Sequence, residues 1–142
     1  MRGFVWTAFV VLGLCAPLPV AAKDMHWQAR LSRVPIEAAT AAKVTGQGHA
    51  TADLRGRTLH ISGVFAGLHG PATIAQLREG PYTGVRGKVL GSLSVSAKAS
   101  GSVSGTLRLT AGQVDALRAG RLYIEIDSRS APDGNLWGWL LP

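Results

Sequence analysis

Short stretches in which apolar and polar residues alternate, each closed by glycine or proline, run through this sequence and restrict it to a β architecture. Period two places every second side chain on one face of a strand, so each stretch is built to bury one face and leave the other polar. Trp27, Ala29 and Leu31 alternate with Gln28 and Arg30; Leu122, Ile124 and Ile126 alternate with Tyr123, Glu125 and Asp127. Strands are also expected over 73–79, 89–97, 103–109 and 135–141, with breaker-rich loops at Gly70-Pro71, 80–87 and Pro132-Asp133-Gly134. Residues 38–42 could form a helical turn, but Thr40 and Val44-Thr45-Gly46 argue for an irregular connection. A hairpin is expected from 48–54 and 57–65 around Arg55-Gly56, which sets Ala52 against Leu59 and Ala50 against Ile61. A one-residue slip would turn the apolar face outward.

One segment breaks the period. Thr110-Ala111-Gly112-Gln113 has the form of a capping box, Val114 and Leu117 make an apolar stripe, and Gly120 suits the position after a helix. Seven or eight short strands with one short helix make an antiparallel sandwich or barrel.

The first 22 residues stand apart. Arg2 precedes a thirteen-residue apolar run, 4–16, followed by Pro17, Pro19 and the small residues Ala21 and Ala22. This is the pattern of an export signal cleaved after Ala22, with residues 23–142 as the single mature domain. Thirteen helical residues reach about 20 Å, short of a roughly 30 Å hydrocarbon core, so an uncleaved anchor and a membrane span after cleavage are not expected. A lipoprotein site at Cys15 is disfavoured by the bulky Leu14 before it. The mature chain would have 120 residues, 14 basic and 8 acidic side chains and no cysteine, so packing alone must hold it. Its arginines are scattered and form no run of like charge, so nucleic acid is not an expected partner. Loose attraction to anionic envelope polymers is compatible with the excess of positive charge.

Several ordered pieces carry a resemblance. They begin with Ala29-Arg30-Leu31, Val34-Pro35 and Gly46-Gln47-Gly48-His49-Ala50 and continue with Leu59-His60-Ile61-Ser62-Gly63-Val64. Ala75-Gln76-Leu77-Arg78-Glu79-Gly80 and the helix opening at Thr110 follow. Tyr123-Ile124-Glu125-Ile126 and Pro132-Asp133-Gly134-Asn135-Leu136-Trp137-Gly138 complete the set. In this order they resemble the CHRD (chordin-type) domain, in its exported bacterial form, over nearly all of the mature chain. The resemblance implies an all-β, antiparallel Greek-key sandwich or barrel with the layout of Cu/Zn superoxide dismutases and one short helix. It also implies a periplasmic or secreted location. In chordin such domains belong to a growth-factor-binding protein.

The departures bear on function. Where the family keeps three histidines on its central and penultimate strands, this chain has Gln76, Arg78 and Asp127. A guanidinium does not ligate metals, and Gln with one carboxylate is a poor donor set for Zn or Cu, so neither a metal nor another cofactor is expected. If the family topology holds, Arg78 and Asp127 form a charge-assisted pair, with Gln76, Asn135 and Trp137 on the same face. That cluster is either a ligand-binding pocket or an ion pair replacing a lost polar group. His49 and His60, expected as diagonal neighbours with Asp53 beside His60, are read as a solvated sheet face rather than a metal site. His26 and His69 have no evident partners. Trp137 and Trp139 are read as packing groups before a sugar platform. With no G-x-S-x-G elbow, no phosphate loop and no mature thiol, the expected function is a non-catalytic binding module with a possible protein partner in the cell envelope. The alternatives are a metal-dependent oxidoreductase, by fold analogy, and an anionic glycan binder.

Overall fold

The alternation expected from the sequence builds eight strands, and their inward residues make one apolar interior. The computed structural model describes residues 25–142, with Gly3, Ala16 and Pro17 as isolated positions before them. The export signal expected over 1–22 therefore lies outside the described residues. The strands are β1 (Met25–Arg33), β2 (Gln47–Arg55), β3 (Thr58–Ala66), β4 (Ala72–Glu79), β5 (Lys88–Val95), β6 (Gly101–Arg108), β7 (Leu122–Ser128) and β8 (Leu136–Trp139). They close in the order β1-β2-β3-β6-β5-β4-β7-β8, every pair antiparallel.

The connection from β3 to β4 passes over β6 and β5, and the one from β6 to β7 passes over β5 and β4. These two crossings are Greek-key connections. Two four-stranded sheets result, β1-β2-β3-β6 and β5-β4-β7-β8. They are joined by only two pairs at each corner, Ser94↔Ser104 with Val95↔Val103, and Ser32↔Trp137 with Arg33↔Leu136. The all-β Greek-key expectation agrees with this architecture.

Trp27, Leu31, Leu59, Leu77, Ile124 and Ile126 are at most 2% exposed and meet between the sheets. Each such side chain contributes about 1.5–3 kcal/mol of transfer free energy, which is how a chain without disulfides is held. Helix α1 (Ala111–Arg118) lies in the β6–β7 crossing. The Gln113 amide N–H donates to Thr110 Oγ1 at 3.2 Å, and the Thr110 N–H donates to Gln113 Oε1 at 2.9 Å, the reciprocal cap expected from the sequence. Gly120 ends the helix at φ +72°, a conformation that suits glycine.

Three local expectations are corrected. The hairpin turns on Gly56-Arg57, with Gly56 at φ +62°, so Leu54 pairs with Leu59 and Ala52 with Ile61. The partners move by two residues, an even shift that leaves every side chain on its expected face. Residues Ala38–Lys43 form a 3-10 helix. The last strand is four residues long, with Leu141 making one separate bridge to Gln28. No helix among the described residues is long and apolar enough to cross a membrane.

Candidate functional site

Gln76, Arg78, Asp127 and Trp137, singled out in the sequence, lie on the outer face of the β5-β4-β7-β8 sheet. Across β4 and β7, Gln76 pairs with Glu125, Ile74 with Asp127 and Arg78 with Tyr123; across β7 and β8, Glu125 pairs with Trp137 and Tyr123 with Trp139. An outward face would ordinarily be solvated, yet Tyr123 is fully buried and Glu125 is 4% exposed. The cover is the β4–β5 loop, 80–87, which folds back over the sheet.

Arg78 holds that cover. Its Nε and Nη2 donate to the Gly87 carbonyl at 3.2 and 2.8 Å, and its Nη1 donates to Gln76 Oε1 at 3.1 Å. The Gly87 N–H donates to the Tyr123 hydroxyl at 2.9 Å, and Thr83 Oγ1 donates to the Gly120 carbonyl at 2.7 Å. A Cβ on Gly87 would collide with the Glu79 carbonyl, so only glycine lets the loop close this tightly.

The ionic partner of Arg78 is Glu125, with Nη1 3.5 Å from Oε1, and this corrects the expected Arg78–Asp127 pair. The ladder explains the difference. Glu125 sits directly across from Gln76 and diagonal to Arg78, whereas Asp127 lies one further pair along, opposite Ile74. Glu125 Oε2 is 3.6 Å from Nη1 of Arg86, which also donates to the Asp133 carbonyl at 2.8 Å. One buried carboxylate thus lies between two guanidiniums. Its Oε2 and Asp127 Oδ1 are buried without a hydrogen-bond donor. Burial, reinforced by the neighbouring Glu125, pushes the Asp127 carboxyl up to about 6 against the opposing pull of Arg78 and Arg86.

Asn135 does not line a pocket with these groups. It is fully buried; its Oδ1 accepts from Ser128 Oγ at 2.7 Å and its Nδ2 donates to the Thr45 carbonyl at 2.7 Å, so it ties the β7–β8 turn to the β1–β2 connection. Trp137 and Trp139 pack with Tyr123 on the covered outer face, at ring-centroid distances of 5.9 and 4.4 Å, rather than in the barrel interior. Sequence reasoning missed Arg86, because a residue in a breaker-rich loop carries no periodic signal. Arg86 nevertheless connects the cluster to open space. It lines a cleft of about 450 Å³ between the 34–44 segment and the 130–134 turn, with Lys43, Thr40 and Asp133 among the other walls.

The histidines separate. His26 Nδ1 is 2.7 Å from Asp53 Oδ1 on the exposed face, a partner the sequence did not suggest. His60 pairs with Asp53 along the ladder and contacts Thr106 Oγ1 at 3.1 Å, while His49 lies opposite Val64. His49 and His60 are therefore four ladder positions apart, not diagonal neighbours. Among the described residues no group of three His, Cys, Asp or Glu is placed to hold a metal ion. Gln76, Arg78 and Asp127 do not fit a transition metal, since the Arg78 guanidinium cannot ligate and Gln76 already accepts from it, which leaves one carboxylate facing the charges of Arg78 and Arg86.

No curated protein and no solved structure matches this chain significantly. The family model described as the CHRD domain matches residues 27–140, from the first core tryptophan of β1 to the residue after β8. The chain belongs to the CHRD domain family.

Proposed function

We propose that this protein is an exported, non-catalytic binding module of the cell envelope, and that it meets its partner at the cleft walled by Arg86. The observation that carries this reading is the setting of Arg86. Its side chain is 44% exposed, yet it is held from behind by a carboxylate that is 4% exposed and from the side by the Asp133 carbonyl. A guanidinium fixed before the ligand arrives loses little freedom on binding, and its remaining N–H groups suit a carboxylate or a backbone carbonyl of a partner. Lys43, which also lines the cleft, adds a second cationic donor, beside the acidic residues Glu37 and Asp133. Arg78, by contrast, spends its donors on Gly87 and Gln76 and serves to keep the loop down. A non-catalytic role accords with an interior filled by apolar side chains and a mature chain without a thiol. Export rests on the charge, apolar length and small-residue pattern of residues 1–22.

Protein recovered from its native cell is the material for the test. Amino-terminal sequencing is expected to start at Lys23; a start at Met1 contradicts export. Immobilised protein is expected to capture a saturable partner from envelope extract, and Arg86→Ala, which leaves the buried Glu125 with one cation fewer and melts lower, to lose it at a temperature where the variant is still fully folded. Capture unaffected by Arg86→Ala removes the cleft from the reading. A stoichiometric transition metal accompanied by redox turnover overturns the non-catalytic assignment.

A further inference from the structure

A second surface, on the other sheet, has a different chemistry and stands independently of the cleft at Arg86. Two adjoining depressions of about 520 and 370 Å³ share Arg30, Gln47 and Ala66 as walls. The first extends to Ser32 and Arg33, the second to His49 and Val64. No Asp or Glu lines either one, and neither Arg30 nor Arg33 has an ion-pair partner among the described residues. That contrasts with Arg78, Arg86 and Arg121, each of which is paired with a glutamate. Cations left unpaired in a concave, acid-free surface raise the local concentration of anions there.

We infer that this groove binds an anionic polysaccharide. Three features choose that class. Arg30 and Arg33 both wall the first depression but, three residues apart on β1, leave the strand on opposite faces with their backbones about 10 Å apart at roughly 3.3 Å per residue, so their charges are spread along the groove and do not converge on one small ion. The groove offers neutral hydrogen-bonding groups between the cations, Ser32 and the Gln47 amide, to match sugar hydroxyls. No Trp or Tyr lines it, Phe65 is 3% exposed and the His49 imidazole is the sole other ring in the lining, so the succession of aromatic faces that single-stranded nucleic acid uses is missing.

The test uses polygalacturonate as the probe, with neutral dextran, a single-stranded oligonucleotide and inorganic phosphate as the other arms. The wild type is expected to bind polygalacturonate at low salt, with affinity falling steeply between about 50 and about 300 mM salt as the charges are screened. The double variant Arg30→Ala/Arg33→Ala is expected to lose about tenfold, the scale of one or two solvent-screened charge-assisted contacts. Arg57→Ala/Arg108→Ala, an equal change of charge at the far end of the same sheet, is expected to lose less than about twofold. Equal losses in both double variants would reduce the binding to diffuse net charge and overturn the site. Tighter binding of the oligonucleotide overturns the polysaccharide class. Competition by submillimolar phosphate overturns the chain-length argument, and equal binding of dextran overturns the role of charge. Thermal melting of each variant, expected within a few degrees of wild type, separates lost binding from lost folding.

Discussion

Replacing Asp127 by asparagine should make the protein more stable at neutral pH, the opposite of what an Arg78–Asp127 ion pair would require. The Asp127 carboxyl is raised from an ordinary value of 3.8 to about 6 by burial and by Glu125, and its Oδ1 has no hydrogen-bond donor. A folded value above the unfolded one means that the folded protein holds a proton the unfolded chain has already released. Stability therefore falls as pH rises through the window between about 4 and 6, and above it the whole cost of ionising the buried group is borne by the folded state. A displacement of about two pH units corresponds to about 3 kcal/mol. Asp127 is only half-buried, and solvent access cuts this to about 1–2 kcal/mol. Urea denaturation of wild type and Asp127→Asn across pH 4 to 8 isolates the effect, because the contributions of all other carboxylates largely cancel in the difference. The gain of Asp127→Asn over wild type should be smallest near pH 4 and grow by about 1–2 kcal/mol by pH 7.5. A flat difference, or one in which the asparagine variant weakens as pH rises, would refute the reasoning and restore Asp127 as a partner of arginine.

Two further perturbations probe the same face and the helix that crosses the barrel. Arg78→Ala should cost about 2–4 kcal/mol by urea denaturation, since it frees the 80–87 loop and leaves the buried Glu125 with one cation fewer, and Arg78→Lys should recover little, because an ammonium cannot span Gly87 and Gln76 together. Thr110→Ala should lower stability by about 1 kcal/mol in the same assay through loss of the cap to Gln113.

The sheets were legible because burial on one face leaves a period-two trace, and Leu122–Ser128 shows why even a strand covered on both sides still carried it: its second cover is polar and aromatic. The capped helix was legible from four residues, since Thr110 and Gln113 satisfy each other locally. Register was harder. The turn at Gly56-Arg57 differs from the expected one by a single residue, and apolar alternation cannot distinguish registers that differ by two. The same ambiguity hid the partner of Arg78. Glu125 and Asp127 share a face and a charge, and only the ladder from β4 to β7 decides which one the guanidinium reaches. The family topology and strand parity put Asn135 on the face of Arg78, but whether an outward side chain meets solvent or the Thr45 carbonyl depends on a connection ninety residues away in the chain. The fold-back of the 80–87 loop left no mark in hydropathy, because main-chain hydrogen bonds to Arg78 and Tyr123, rather than an apolar stripe, hold it.

A double-mutant cycle bears most directly on the central claim, that Arg78 and the buried Glu125 pin a loop over the sheet and thereby shape the surface beyond it. Unfolding free energies of Arg78→Ala, Glu125→Gln and the double variant, set beside the matching cycle with Asp127→Asn, give the two coupling energies. The account predicts about 1–3 kcal/mol of favourable coupling between Arg78 and Glu125 and a clearly smaller value with Asp127. The reverse order, with the larger coupling to Asp127, would contradict it.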